Sequence, residues 1–135
     1  MKAMLLEKFG QPLRYGEIAD PVPGYGEVVL EVEACGVCHS DLKIVSGLHP
    51  NCSKIKLPFI PGHEIVGRVC SIGEGVKDWK MGDRALVSIY MGCLKCKSCR
   101  AGLEQLCESE DQRIIGFSEN GGYAQKVKVR ERNLI

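Results

Sequence analysis

CLKCKSCRAGLEQLC, residues 93–107, places four cysteines at the spacing C-x2-C-x2-C-x7-C. Such spacing lets one short loop wrap four thiolates around a single ion, and four sulfur ligands at tetrahedral corners suit Zn²⁺. Four thiolates outweigh the charge of a divalent ion, and Lys95, Lys97 and Arg100 stand where they can offset part of the excess. A zinc ion with four thiolate ligands has no open position, so we expect a structural site. Its predicted ligands are Cys93, Cys96, Cys99 and Cys107.

An iron–sulfur cluster is an alternative for these cysteines, because a C-x2-C-x2-C run also begins the cluster loop of bacterial ferredoxins. There the fourth cysteine follows after three residues and precedes proline, whereas here seven residues intervene and Glu108 follows Cys107. Disulfides or unligated thiols are the remaining interpretation. Structural zinc binds small peptides with roughly 10–16 kcal/mol, which is comparable to the whole stability of a domain, so we expect the loop to need its metal.

Composition limits the kinds of partner. The chain has 135 residues, with 18 Lys plus Arg against 17 Asp plus Glu, and a formal net charge of +1. This balance gives no reason to expect nucleic acid or an anionic membrane as a partner. The apolar run before Glu7 is too short for a signal peptide, and no run reaches membrane-spanning length. Eight cysteines without an export signal predict a cytoplasmic protein, in which clustered cysteines bind metal.

Glycine and proline turns divide the chain into short segments rich in β-branched residues, which is typical of strands. Strands are predicted at 1–6, 13–18, 27–34, 65–72, 84–90 and 123–129. One short helix is predicted to end at Ser46 with Ser40 or Asp41 as its cap, and 47–58 is predicted to be a loop. Many short strands with little helix indicate a mainly β fold, either an antiparallel barrel or a partly open sandwich.

A thiol and an imidazole stand at the ends of two predicted strands. Cys38 follows one strand and His63 precedes another, so both side chains face a common point if those ends meet. Catalytic zinc takes about three protein ligands and one open position, so two ligands alone would bind it weakly. From the residues alone, an incidental pair remains open. So does a C-x-x-C redox pair of Cys35 and Cys38, although no βαβ pattern surrounds it.

The motifs of the chain, taken in order, resemble the N-terminal, GroES-like catalytic domain of the zinc-dependent medium-chain alcohol dehydrogenases. Residues 62–76 match the family's zinc signature G-H-E-x2-G-x5-G-x2-V at every fixed position, and 36–41, GVCHSD, is similar to its first-ligand segment. The cysteine loop is similar to the family's structural zinc lobe, here about 91–110, and 121–124, GGYA, resembles the strand that follows. The resemblance implies one domain, 1–135, with a GroES-like, partly open antiparallel β-barrel.

The resemblance also implies a second, catalytic zinc, held by Cys38 and His63, which Glu64 can approach when water or substrate exchanges. The Cys₂His ligand set is the established one for alcohol dehydrogenases. The alternative for Glu64 is an ordinary solvent-exposed strand residue with no role at the metal. The implied activity is the interconversion of an alcohol with an aldehyde or ketone by hydride transfer to or from NAD or NADP. The family's third protein ligand lies in sequence beyond Ile135.

Further roles carry over from the family to single residues. Ser40 is similar to the hydroxyl that takes the proton from the bound alcohol, and Asp41 would accept a hydrogen bond from the far nitrogen of His63. His39 stands where family members present a basic group to the pyrophosphate of the cofactor. The alternative for Ser40 and Asp41 is that they only cap the helix, and the alternative for His39 is that it is an ordinary surface residue. Lys43 stands where some members continue the proton relay with a histidine, so the relay is expected to end at Ser40 or in water.

The remaining cysteines and His49 match no ligand position. Cys35 and Cys70 are interpreted as small core residues, Cys52 has no assigned role, and His49 is interpreted as a loop histidine.

The nucleotide-binding domain of the family has no counterpart in this chain. Gly73-Glu74-Gly75 lacks the third glycine of a G-x-G-x-x-G motif, so residues 1–135 alone are expected not to oxidise alcohols. The expected substrate is a small alcohol or carbonyl compound, and the full-length enzyme is expected to be a homodimer or homotetramer. The alternative function is a non-catalytic, zinc-stabilised GroES-like binding module with one zinc per chain.

Overall fold

Eight short strands carry most of the regular structure of the computed structural model, which describes residues 1–135. The strands are β1 (Lys2–Leu5), β2 (Arg14–Glu17), β3 (Glu27–Gly36), β4 (Glu64–Ile72), β5 (Arg84–Leu86), β6 (Tyr90–Met91), β7 (Arg113–Ile114) and β8 (Lys126–Arg130). The helices are α1 (His39–Val45) and α2 (Lys97–Arg100), with 3-10 turns at Pro50–Lys54, Glu104–Leu106 and Glu131–Asn133. The predicted mainly β, GroES-like fold is confirmed. None of these helices has the length and apolar character needed to cross a bilayer.

The main sheet has the order β5-β4-β3-β8, and every pairing in it is antiparallel. β3 is central, and its register with β4 shifts between Val29 and Leu30 and again between Val32 and Ala34. Such bulges bend a strand and increase its twist, which curls the sheet towards a barrel. The β1–β2 hairpin continues the wall through a bridge between Ala3 and Ala124.

Two apolar clusters hold the elements that carry the functional residues. The larger one lies inside the main sheet, where alternate residues of the strands point inwards. It contains Val28, Leu30, Ile65, Val69, Ala85, Met91, Ile115, Val127, Val129 and Leu134. A second cluster packs beneath α1 and fixes that helix against the barrel. Its buried members are Leu6, Ile44, Ile55, Phe59 and Phe117.

The helix α1 begins and ends by local hydrogen bonding. Its N-cap is Cys38 and not Ser40 or Asp41, because Cys38 is the last residue with an extended backbone and the helix already begins at His39. Asp41 instead reaches back from inside the first turn, and its Oδ2 accepts the Cys38 backbone N–H at 3.0 Å. The helix ends before Gly47, whose φ of +79° is the left-handed conformation usual after a helix.

Three predicted segments differ in extent from the observed ones. Residues 47–58 include a 3-10 turn, which begins at Pro50 because proline suits a first helical position. The predicted strand 84–90 is interrupted, since the Asn133 side chain donates to the carbonyl oxygens of Ser88 and Tyr90 and occupies the place of a strand partner. β8 begins three residues late, because the backbone of Tyr123 bonds to neighbours outside the main sheet.

Candidate metal centres

The four cysteines of the loop 93–107 converge on one point. Their sulfur atoms all lie within 4.8 Å of one another, and the pairs Cys93–Cys99 and Cys96–Cys107 are each 4.0 Å apart. Zn–S bonds of ~2.3 Å at tetrahedral angles separate two sulfurs by about 3.8 Å, so the arrangement fits a single ion. All eight cysteines of the chain are free thiols, as metal binding requires.

Backbone amides prepare the loop for thiolate ligands. The N–H groups of Lys95 and Cys96 both donate to the Cys93 sulfur at 3.4 Å, and these bonds lower the pKa of that thiol to about 6. The amide of Cys99 does the same for Cys96 and lowers its pKa. Burial raises the pKa of Cys99 itself to about 12. Thiols must lose their protons to bind metal, so these amide contacts favour the thiolate form of Cys93 and Cys96 that a metal needs.

A carboxylate and a guanidinium tie this loop to the barrel. Glu104 Oε2 accepts the Gly92 backbone N–H at 2.7 Å, directly before the first cysteine. Arg132 donates to the Gly92 carbonyl oxygen at 2.9 Å and to Glu104 Oε1 at 3.3 Å. Contacts with the turn that follows β8 therefore hold the loop in place, in addition to the convergence of its four sulfur atoms.

A second group of ligand atoms forms where β3 and β4 end. The Cys38 sulfur, a His63 ring nitrogen and a Glu64 oxygen lie within 4.8 Å of one another. The pairing explains this meeting, because Gly36 at the end of β3 lies opposite Glu64 at the start of β4. The thiol is half-buried, the imidazole is buried and the carboxylate is exposed, so the group opens to solvent on one side.

Neighbouring side chains orient the His63 ring. Ser40 Oγ lies 3.2 Å from Nε2, and Asp41 Oδ1 lies 3.4 Å from Nδ1. The buried Nδ1 makes no hydrogen bond, and its 3.4 Å distance to Asp41 is longer than an ordinary N–H···O bond. The ring also packs against Phe117 at a centroid distance of 4.5 Å. A slight ring movement would form the Nδ1–H bond to Asp41. That tautomer leaves Nε2 unprotonated and able to bind a metal.

Asp41 is the centre of a hydrogen-bond network behind this ring. The carboxylate is buried and accepts backbone N–H groups from Cys38 at 3.0 Å and Gly62 at 3.1 Å. The Tyr123 hydroxyl donates to its Oδ2 at 2.9 Å and lies 3.2 Å from the Gly36 carbonyl oxygen. Burial and the nearby Asp41 carboxylate raise the pKa of Tyr123. Sequence reasoning missed this tyrosine as a site residue, although the GGYA motif that contains it was noted.

Close packing explains the glycine that precedes His63. Gly62 has a φ of +94°, and a Cβ there would lie 2.6 Å from the Tyr123 ring and 2.9 Å from the Cys35 sulfur. Only glycine fits such a place without strain. Burial raises the pKa of the Cys35 thiol to about 11, so this cysteine stays protonated and inert at neutral pH.

The other histidines lie outside the ligand group. His39 is exposed at the first position of α1, and Lys43 is exposed one turn later. His49 lies in the loop after α1, as interpreted, and its Nδ1 accepts the Asn51 backbone N–H at 3.1 Å. The His49 ring packs against Phe117, with a centroid distance of 5.1 Å. The structure thus brings together the residues at 38, 40, 41, 63 and 64, and leaves His39 at the surface.

Residues 24–135 match the family model for the alcohol dehydrogenase GroES-like domain. The chain is 48% identical over 128 residues to an alcohol dehydrogenase of Moraxella sp. (strain TAE123), and 41% identical over 132 residues to an NAD-dependent alcohol dehydrogenase of Sulfolobus acidocaldarius. These alignments cover 94% and 96% of this chain but only 37% and 38% of the relatives. A solved alcohol dehydrogenase from Aeropyrum pernix superposes with a TM-score of 0.91 at 32% identity, covering 100% of this chain and 39% of that one.

Proposed function

The chain belongs to the zinc-dependent medium-chain alcohol dehydrogenase family as its N-terminal, GroES-like domain, and we propose that it is the catalytic-domain portion of such an enzyme. The whole protein interconverts a small alcohol with an aldehyde or ketone, and hydride passes to or from NAD or NADP. This chain spans only 37% and 38% of the length of these relatives, and the nucleotide-binding domain of the whole protein is proposed to lie in the remainder. The observation that carries the proposal is the meeting of Cys38 and His63 beside Ser40.

Cys38 and His63 are proposed as two protein ligands of a catalytic zinc, with Glu64 as the acid beside it. Thiolate and neutral imidazole are ordinary zinc ligands, and the orphaned Nδ1 faces a carboxylate that can fix the ring. When bound, zinc would supply Lewis acidity to the oxygen of the alcohol or carbonyl compound. The exposed side of the group is where the substrate enters.

Ser40 is proposed to move the proton of the alcohol. Its hydroxyl is both a donor and an acceptor, and its Oγ stands 3.2 Å from Nε2 of His63, beside the ligand group. With Nε2 committed to zinc, this hydroxyl would be free to turn to the oxygen of the alcohol, accept its proton and pass its own proton on. Since Lys43 is exposed and lies outside the ligand group, the proton continues from Ser40 to water.

The loop 91–110 is proposed to hold a structural zinc through Cys93, Cys96, Cys99 and Cys107. Sulfur separations near those of a tetrahedral site support this ion over a larger cluster. His39, at the exposed start of α1, is proposed to face the cofactor phosphates. We further propose that the whole protein is a homodimer or homotetramer in a reducing cytoplasm, and the eight free thiols support that location.

Two measurements on the full-length enzyme test the proposal. Elemental analysis counts the zinc ions per chain, and an activity assay measures the turnover of alcohols. We expect two zinc ions per chain in the wild type, and loss of one ion and of turnover in His63→Ala and Cys38→Ser. Cys70→Ser is the matched control, because this half-buried thiol lies outside both ligand groups. Turnover that survives both ligand substitutions would refute the catalytic role. One zinc per chain with no turnover would instead support the non-catalytic, zinc-stabilised binding module.

A further inference from the structure

Tyr123 lies behind the proposed catalytic group, and the proposed reaction gives it no role. We propose that Tyr123 is a positioning residue, which holds Cys38 and His63 at the separation that a shared metal ion needs. It acts through Asp41 and through the backbone beside His63, and not by contact with the metal or the substrate. This inference rests on the proposed dehydrogenase function and adds a residue to its site.

The backbone of Tyr123 is attached to the segment that carries His63. The Tyr123 N–H donates to the Pro61 carbonyl oxygen at 3.0 Å, and the Gly122 N–H donates to the Gly62 carbonyl oxygen at 2.9 Å. The Tyr123 ring also fills the space beside Gly62, where a Cβ would lie 2.6 Å from it. The tyrosine is therefore fixed to the two residues directly before His63.

The hydroxyl of Tyr123 is attached to the segment that carries Cys38. It donates to Asp41 Oδ2 at 2.9 Å and lies 3.2 Å from the carbonyl oxygen of Gly36, the last residue of β3. The same Oδ2 accepts the Cys38 backbone N–H at 3.0 Å. One phenol ring thus connects the start of α1 to the segment before His63. Because the ring is rigid, it fixes the distance between the two ligand-bearing segments.

The Asp41 carboxylate is surrounded by four donor groups. Oδ2 accepts from Cys38 and Tyr123, whereas Oδ1 accepts the Gly62 N–H at 3.1 Å and faces His63 Nδ1 at 3.4 Å. A carboxylate has about four lone-pair sites, so Tyr123 occupies one that would otherwise be empty. Without this donor, Oδ2 keeps a single bond and the carboxylate is freer to turn, which moves Oδ1 relative to the imidazole.

A purely structural role is the alternative, because loss of a hydrogen bond in the interior also destabilises the fold. Tyr123→Phe removes the hydroxyl and keeps the ring against Gly62. Val129→Ala is the matched control, because Val129 is fully buried in the main sheet and lies outside both ligand groups, so its truncation lowers stability alone. A positioning role predicts a change at the Cys38–His63 site in Tyr123→Phe only, whereas a structural role predicts the same result in both variants.

The test places cobalt in the Cys38–His63 site of the full-length enzyme, keeps zinc in the four-cysteine loop, and records the visible absorbance. Bands that are absent from Cys38→Ser identify this site. At saturating cobalt, we expect Tyr123→Phe to shift these bands. The zinc form of the same variant should lose about threefold to tenfold in kcat while KM for the alcohol changes less than about twofold. Val129→Ala should match the wild type in both measurements.

The outcomes separate this inference from the proposed function. Bands or a kcat that stay unchanged in Tyr123→Phe would overturn the inference and leave the dehydrogenase function standing. Equal changes in Val129→Ala would do the same, because lowered stability would then account for them. A wild type that turns over no alcohol and shows no cobalt bands dependent on Cys38 would overturn both.

Discussion

Removing one hydroxyl tests whether the network behind His63 stabilises the fold. The substitution Tyr123→Phe deletes the donor 2.9 Å from Asp41 Oδ2 and leaves the ring that packs against Gly62. A hydrogen bond to a charged group contributes about 1.5–3 kcal/mol. Asp41 keeps two backbone donors in the variant, so its charge is not orphaned. We therefore expect the lower part of that range, a loss of about 1.5–2 kcal/mol in the free energy of unfolding.

Urea denaturation of the zinc-loaded protein measures this loss, and cobalt titration followed by absorbance measures metal affinity. Removing a direct partner of a ligand costs about 10–100-fold in affinity. Tyr123 acts through Asp41, so we expect less than about tenfold. Tyr15→Phe is the matched control, because Tyr15 is 61% exposed and its hydroxyl has no partner, and a change within about 0.5 kcal/mol is expected there. A Tyr123→Phe variant as stable as this control would show that the network contributes nothing.

Three more predictions concern other parts of the fold. Gly62→Ala should lower the free energy of unfolding by more than about 2 kcal/mol, because a Cβ there combines a left-handed φ with two close contacts; a denaturation midpoint equal to the wild type would contradict this. Glu104→Ala should speed removal of one zinc by a chelator, since Gly92 loses the acceptor of its backbone N–H and keeps only the bond from Arg132; an unchanged release rate would count against the docking contact. Lys126 and the N-terminal amine of Met1 hold the pKa of Asp20 down to about 2, so these contacts stabilise the fold at pH values above the unfolded-state pKa of 3.8, and the contribution is lost as the pH falls towards 2. Asp20→Asn should flatten the acid limb of a stability–pH curve measured by urea denaturation, and an identical limb would refute the pairing.

Local patterns predicted the residues that the structure brings together most directly. The cysteine spacing needs only one short loop, so its convergence follows from the sequence between 93 and 107. Cys38 and His63 meet because their strands pair in an antiparallel manner, and each residue flanks its strand end. The cysteine loop therefore follows from residues close in sequence, whereas the Cys38–His63 pair was implied by the family resemblance, because the residues alone left it open.

Contacts between distant positions could not be found in this way. Tyr123 and Asp41 are 82 residues apart, and no periodicity or spacing links them. The interruption of the predicted strand 84–90 depends likewise on Asn133, which is more than forty positions away. A propensity pattern describes what a segment favours alone, whereas these two outcomes depend on which side chain arrives from elsewhere.

The buried carboxylate of Asp41 serves two purposes at the same atoms. Its Oδ2 accepts the amide that begins α1, and its Oδ1 faces the imidazole of His63. A substitution that spoiled the orientation of the ring would also fray the helix that carries Ser40. Loss of this aspartate would therefore destabilise the fold even in a protein without turnover. Its presence in a related sequence is weak evidence of activity, because the start of the helix alone would require it.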